Sequence, residues 1–153
     1  MLHEKITEDI IRAFYRVYRV LGYGFLEKVY ENAMVIELRK ACLKIEPQKC
    51  VTVHYGSERV GEYFADLLVE DLVIVELKAA NAIAEEHESQ LINYLKATGM
   101  EVGLLLNFGR KPEFKRKIFE TKKGSIIVRP NAADSEKQGN FIPVASPSNS
   151  HPR

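Results

Sequence analysis

Cysteine is scarce, metal-binding spacings are missing and long apolar runs do not occur, and each gap removes a class of protein. Cys42 and Cys50 are the whole cysteine content, too few and too close to a strongly amphipathic segment for a secreted disulfide scaffold. Free, reduced thiols are expected, and they point to a cytoplasmic location. Those cysteines and the four histidines His3, His54, His87 and His151 show no zinc spacing. No apolar stretch approaches the roughly 20 residues of a membrane-spanning helix, and Met1-Leu2-His3-Glu4-Lys5 lacks the apolar core of a secretion signal, so no membrane is expected as a partner. A phosphate-binding glycine-lysine loop and a dinucleotide fingerprint are also missing, which leaves nucleotide hydrolysis and hydride transfer unsupported. The formal net charge is only +1. Any hold on a nucleic acid must therefore come from a local basic patch, not from the global field.

The apolar fraction of 46% against 28% charged residues is enough for one core and one domain, expected over residues 1–130. Thr7 reads as the N-cap of a first helix carrying Ile10, Ile11, Phe14, Val17, Tyr18 and Leu21 at helical spacing. Gly22-Tyr23-Gly24 breaks that pattern, which resumes from Leu26 to about Lys40. Pro47 punctuates. Val51 to Tyr55, Val60 to Val69 and Leu72 to Lys78 then read as three strands of an antiparallel meander. A third helix is expected from Glu85 to Thr98, with Gly99 placed to end it, followed by a buried strand from Val102 to Phe108. Pro112 suits the first turn of a short helix carrying Phe114, Ile118 and Phe119, and Ile126 to Val128 reads as a last edge strand. Residues 131–153 turn to Asn, Ser, Pro and Gln and are expected to be a disordered tail. The order of elements gives an α/β domain, a mixed sheet with an antiparallel meander flanked by helices.

Three charges interrupt the meander's apolar runs: Asp66, Glu76 and Lys78. Charges in buried strands are costly unless they pair or bind a metal. A hard cation such as Mg²⁺ (or Mn²⁺) takes carboxylate and water oxygens, activates water and neutralises charge on a phosphate, so Asp66 and Glu76 read as its ligands in a phosphodiester-cutting site. Lys78 beside them can orient the attacking water and stabilise developing charge. The competing reading is a buried ion pair between Lys78 and Asp66 or Glu76, with no catalysis. Register adds a condition. A two-residue hairpin at Glu70-Asp71 would pair Val69 with Leu72 and put Asp66 and Glu76 on opposite faces, so a shared site demands a three-residue loop, a bulge or splayed strands. Glu76 and Lys78, two apart, share a face without help.

Gly24-Phe25-Leu26-Glu27-Lys28-Val29-Tyr30, followed by Ala65-Asp66, Glu76-Leu77-Lys78, His87-Glu88-Ser89-Gln90 and Gln90 to Leu95, resembles the GxxExxY protein family of the PD-(D/E)XK nuclease superfamily. The resemblance runs from the first helix to Val128, takes in the strand Gly103 to Phe108 and omits the tail. It implies a restriction-endonuclease-like core and a Mg²⁺-dependent nuclease acting on DNA in preference to RNA. It also implies roles: Glu27 as a helical carboxylate at the metal, Asp66 and Glu76 as strand ligands, Lys78 as the catalytic lysine. Gln90 and Tyr94 then correspond to the Q-x-x-x-Y helix of nucleases similar to the exonuclease domains of recombination enzymes. Ala65 stands where the superfamily's name has proline, a residue that shapes only the strand.

Several of these residues carry a plainer reading as well. Glu27 can merely complement a helix dipole. Tyr30 can be a core aromatic with its hydroxyl at the surface. Gln90 and Tyr94, four apart, can be a solvated polar pair, and His87 either a helix-end residue or a phosphate contact. The basic run Arg110 to Lys117, with Lys122 and Lys123 beyond it, is either a solvated helix face or a phosphate track in which Lys115, Arg116 and Lys117 touch the backbone of the substrate. Two function classes follow: a metal-dependent nuclease, and a non-catalytic module on the same fold that binds nucleic acid or protein.

Overall fold

The computed structural model describes residues 3–122 and 125–129. The expected tail at 131–153 lies outside them. Two helices come first, α1 (Glu4–Leu21) and α2 (Glu27–Lys40), then strands β1 (Ile45–Tyr55), β2 (Glu58–Val69) and β3 (Val73–Lys78). Helix α3 (Glu85–Thr98) leads into β4 (Val102–Phe108), β5 (Pro112–Lys122) and β6 (Ser125–Arg129). The six strands lie in one sheet in the order of the chain. All neighbours are antiparallel except β3 and β4, whose parallel pairing needs the crossover that α3 supplies.

Apolar stripes explain the layers. Ile10, Phe14 and Val17 of α1 and Tyr30, Met34 and Leu38 of α2 pack on one sheet face, against Leu67, Val75, Leu77, Leu104 and Leu106. Leu91 and Leu95 of α3 pack on the other, against Ala65, Ile74, Leu105 and Phe119. Strands β3 and β4 are covered on both sides, which is why they read as nearly continuous apolar runs.

Four expectations need correction. Helix α1 begins at Glu4, not after Thr7; the Thr7 hydroxyl donates back to the His3 and Glu4 carbonyls from inside the first turn. Strand β1 begins at Ile45 and passes through Pro47, tolerated because β1 is an edge strand and a missing N–H there breaks no ladder. Residues from Pro112 onward form β5, not a helix: Phe114 lies opposite Leu106 and Ile118 opposite Val102. The fourth concerns the Tyr30 hydroxyl, which is not at the surface. Tyr30 is 0% exposed, donates to the Gly22 carbonyl at 2.6 Å and accepts the Phe25 N–H at 3.2 Å, while its ring stacks on Phe108 at 4.2 Å. Gly24, at φ 109, lets the chain turn between those two hydrogen bonds. The Gly24, Glu27 and Tyr30 spacing is thus a turn, a helix start and the tie that fixes both. Tyr30→Phe keeps the ring but leaves a half-buried carbonyl and N–H without this partner; a loss of about 1 kcal/mol is expected by urea denaturation.

Candidate active site

The β2–β3 hairpin decides which faces the charges share. Its turn is closed by the Leu72 N–H on the Val69 carbonyl, with Glu70 and Asp71 both at positive φ. Leu72 is left over, and the first pair is Val69 with Val73, followed by Leu68 with Ile74 and Leu67 with Val75. The paired register ends at Leu67 opposite Val75, and one step on Asp66 and Glu76 meet through their side chains. Strand β2 continues with β1 while β3 continues with β4 as far as Lys78 opposite Asn107. Where the strands part, side chains replace the ladder: the Asp66 N–H donates to Glu76 Oε2 and the Leu77 N–H to Asp66 Oδ2, each at 2.8 Å. The carboxylates are held crosswise.

Electrostatics at this point are unfavourable to charge. Glu76 is 7% exposed, and its carboxyl is pushed up to about 8, chiefly by burial and then by Asp66, against the pull of the Asp66 N–H and Lys78. Asp66 is raised too, again chiefly by burial, with Glu31 and Glu27 adding negative charge and the Leu77 N–H and Lys78 opposing them. Lys78 is half-buried and makes no ion pair among the described residues. Such a pair of crowded carboxylates, sharing too little positive charge, is a hard-oxygen donor set that a divalent cation would relieve.

Other expected residues fall at varying distances from this centre. Glu27 opens α2, exposed, and is felt electrostatically by both strand carboxylates. Among the described residues, no three His, Cys, Asp or Glu side chains are gathered tightly enough to enclose a metal, so Asp66 and Glu76 are the pair that the fold itself brings together. Gln90 is exposed on α3 and bonds the Tyr94 hydroxyl, which burial, followed by Glu76, pushes up to about 12. His87 caps its own helix, its Nδ1 accepting the Ala84 N–H at 3.1 Å.

The basic run is divided. As a strand, β5 sends alternate side chains to opposite faces, so Lys115 and Lys117 part from Arg116. Lys117 is 1% exposed, with its amine 2.6 Å from Glu88 of α3. The helix face read from the sequence is corrected to a strand, and a phosphate track through Lys115, Arg116 and Lys117 would have to use both faces of β5. Neutralising Lys115, Arg116 and Lys117 together should flatten the log-log salt slope of nucleic-acid binding by no more than a single phosphate contact, about 0.7 to 0.9. Affinities over a salt series check this, and a fall worth three contacts would restore the track.

Three residues that sequence reasoning did not assign also shape the site. Glu31, 5% exposed one turn after Glu27, takes Lys28 at 2.8 Å and the Gln48 amide at 2.7 Å, and it raises Asp66 more than Glu27 does. Its signal was the four-residue step along α2. Asn107, fully buried, accepts the Ala80 N–H and donates to the Ala80 carbonyl, fixing the chain just after Lys78. Tyr63 stacks on Tyr94, and its hydroxyl is buried next to Glu76 with no hydrogen-bond partner among the described residues. An orphaned hydroxyl beside Glu76 fits a site that takes a polar ligand.

The family model described as the PD-(D/E)XK nuclease superfamily matches residues 4–117. The chain belongs to that superfamily, and its sheet with helices on both faces is the restriction-endonuclease-like α/β core. Among solved structures, the crystal structure of SSO0001 aligns with a TM-score of 0.42 and 15% identity over 71% of this chain, which spans 64% of that one. No curated protein matches. No helix among the described residues is long and apolar enough to cross a membrane.

Proposed function

We propose that this protein is a divalent-metal-dependent nuclease of the GxxExxY branch, hydrolysing phosphodiester bonds in DNA in preference to RNA. The observation that carries the proposal is the crosswise holding of Asp66 and Glu76 at the parting of β2 and β3, with Lys78 on the face of Glu76. Asp66 and Glu76 would hold Mg²⁺ or Mn²⁺, with Glu27 as a further carboxylate at the rim. The ion, when bound, supplies positive charge against the phosphate and acidifies water.

The remaining roles belong to the chain. Lys78 orients the attacking water and offsets charge growing on the phosphate oxygens as the P–O bond to the leaving group breaks. Gln90 and Tyr94 line the α3 side, where the high proton affinity of the Tyr94 hydroxyl keeps it a hydrogen-bond donor at neutral pH. Free, exposed Cys42 and Cys50 suit a reducing cytoplasm. Incubating the protein with labelled single-stranded, duplex and branched DNA and with RNA, in Mg²⁺ or Mn²⁺, tests the reading. Cleavage lost in Asp66→Ala and Glu76→Gln is expected. Binding without cleavage of any substrate would favour a non-catalytic module on the same fold.

A further inference from the structure

A cavity of about 250 Å³ opens at the ends of β3 and β4, lined by Tyr23 and Phe25 from the α1–α2 loop, Ala79 and Asn81 after β3, and Gly109 and Arg110 after β4. Two of its walls lie next to site residues along the chain: Ala79 follows Lys78, and Phe25 stands two residues before Glu27. Tyr23 and Phe25 are 53% and 47% exposed, large for aromatic rings that have a core within reach. The Arg110 guanidinium lies 5.2 Å from the centre of the Tyr23 ring. An exposed aromatic ring with a cation held over it is what a base and its phosphate meet in single-strand binding proteins.

Each wall is fixed in advance. Tyr30 ties the first through Gly22 and Phe25, with Phe25 edge-on to its ring at 6.1 Å. Asn107 ties the second through Ala80. The Tyr18 hydroxyl lies 2.7 Å from the Gly109 carbonyl and 2.6 Å from that of Arg110, and it ties the third. A side chain at Gly109 would collide with the Ala80 carbonyl oxygen and crowd the Asn107 amide, so the floor is backbone. Rigid walls lower the ordering cost of a ligand.

We infer that this cavity receives one unpaired base of the nucleic-acid substrate, stacked on Tyr23 and Phe25, with Arg110 on its phosphate, which makes single-stranded or frayed ends the preferred substrate. The inference rests on the nuclease reading for the identity of the ligand, but its test does not depend on cleavage. Anisotropy of a labelled oligothymidylate and of a duplex of equal length is measured in chelator, where a metal-dependent enzyme is silent. Tyr23→Ala should weaken single-strand binding about tenfold, as expected for one lost stacking contact, and leave duplex binding unchanged. Arg110→Gln should weaken the single strand and flatten its salt dependence. The chain has no tryptophan, so Tyr23→Trp adds a lone indole whose emission should be quenched by the single strand while affinity is kept. No single-strand binding by the wild type, equal losses on both substrates, or an unquenched indole would overturn the assignment. A wild type that cleaves no substrate in metal yet binds the single strand through Tyr23 would overturn the nuclease reading and leave this one standing, so the two readings fail separately.

Discussion

Lys78→Ala should lower the rate of phosphodiester cleavage by about 10²- to 10⁴-fold, the usual range for removing a group that handles a proton or a developing charge. Folding and substrate affinity should hardly change. Lys78 is half-buried at the end of β3 and pairs with no acid among the described residues, so its removal breaks no ion pair there and leaves the apolar layers intact. Single-turnover rates, denaturation midpoints and binding constants measured side by side separate the outcomes. Retained cleavage would exclude Lys78 from the reaction. A collapse of stability instead would mean that the lysine is needed to hold Asp66 and Glu76 together.

Stability should depend on metal and pH together. The Glu76 carboxyl sits at about 8 in the folded chain, against about 4.3 in an unfolded one. Between those values the folded state keeps a proton that the unfolded state has released. This contribution is therefore complete below the unfolded value and is lost as pH climbs through about 8. A bound cation has to displace the same proton, so its apparent affinity should rise about tenfold per pH unit below that point. Thermal melts in Mn²⁺ and in chelator between pH 6 and pH 9, at about one-unit steps, are expected to show a metal-induced rise in Tm that grows with pH. Asp66→Ala should abolish that rise, and Glu76→Gln should be more stable than the wild type at alkaline pH without metal. A rise that ignores pH, or one that survives in Asp66→Ala, would place the metal elsewhere.

The parts of the fold that the sequence revealed are those in which one face is buried and the other is not. Helices α1, α2 and α3 carried that contrast, and β3 and β4 showed the opposite extreme, apolar on both sides. Strand β5 carried neither. It lies between β4 and β6, with Phe119 buried on the α3 side and Phe114 packed against Tyr15 on the other, and its apolar residues therefore fall at a spacing that imitates a helix turn. The start of β1 was hidden by Pro47, because proline argues against a strand only where its nitrogen must join a ladder. At the site, Asp66, Glu76 and Lys78 stood out as charges among apolar neighbours. Glu31 and Asn107 did not, since their importance lies in what they touch after folding.

The hairpin residue Leu72 has a consequence for how the chain finds a single structure. It sits outside the ladder and is 39% exposed. The rival pairing, in which Leu72 takes the place opposite Val69, differs by one residue and would offer the backbone as many hydrogen bonds. In that arrangement β3 turns over. Glu76 and Lys78 would enter the apolar layer beneath α1 and α2, and Val75 and Leu77 would face the cleft. Two unpaired charges in that layer cost far more than any gain from covering one leucine. The acidic and basic residues that weaken the native sheet thus weaken its nearest competitor more, and the hairpin closes in one register because the other has no place for them.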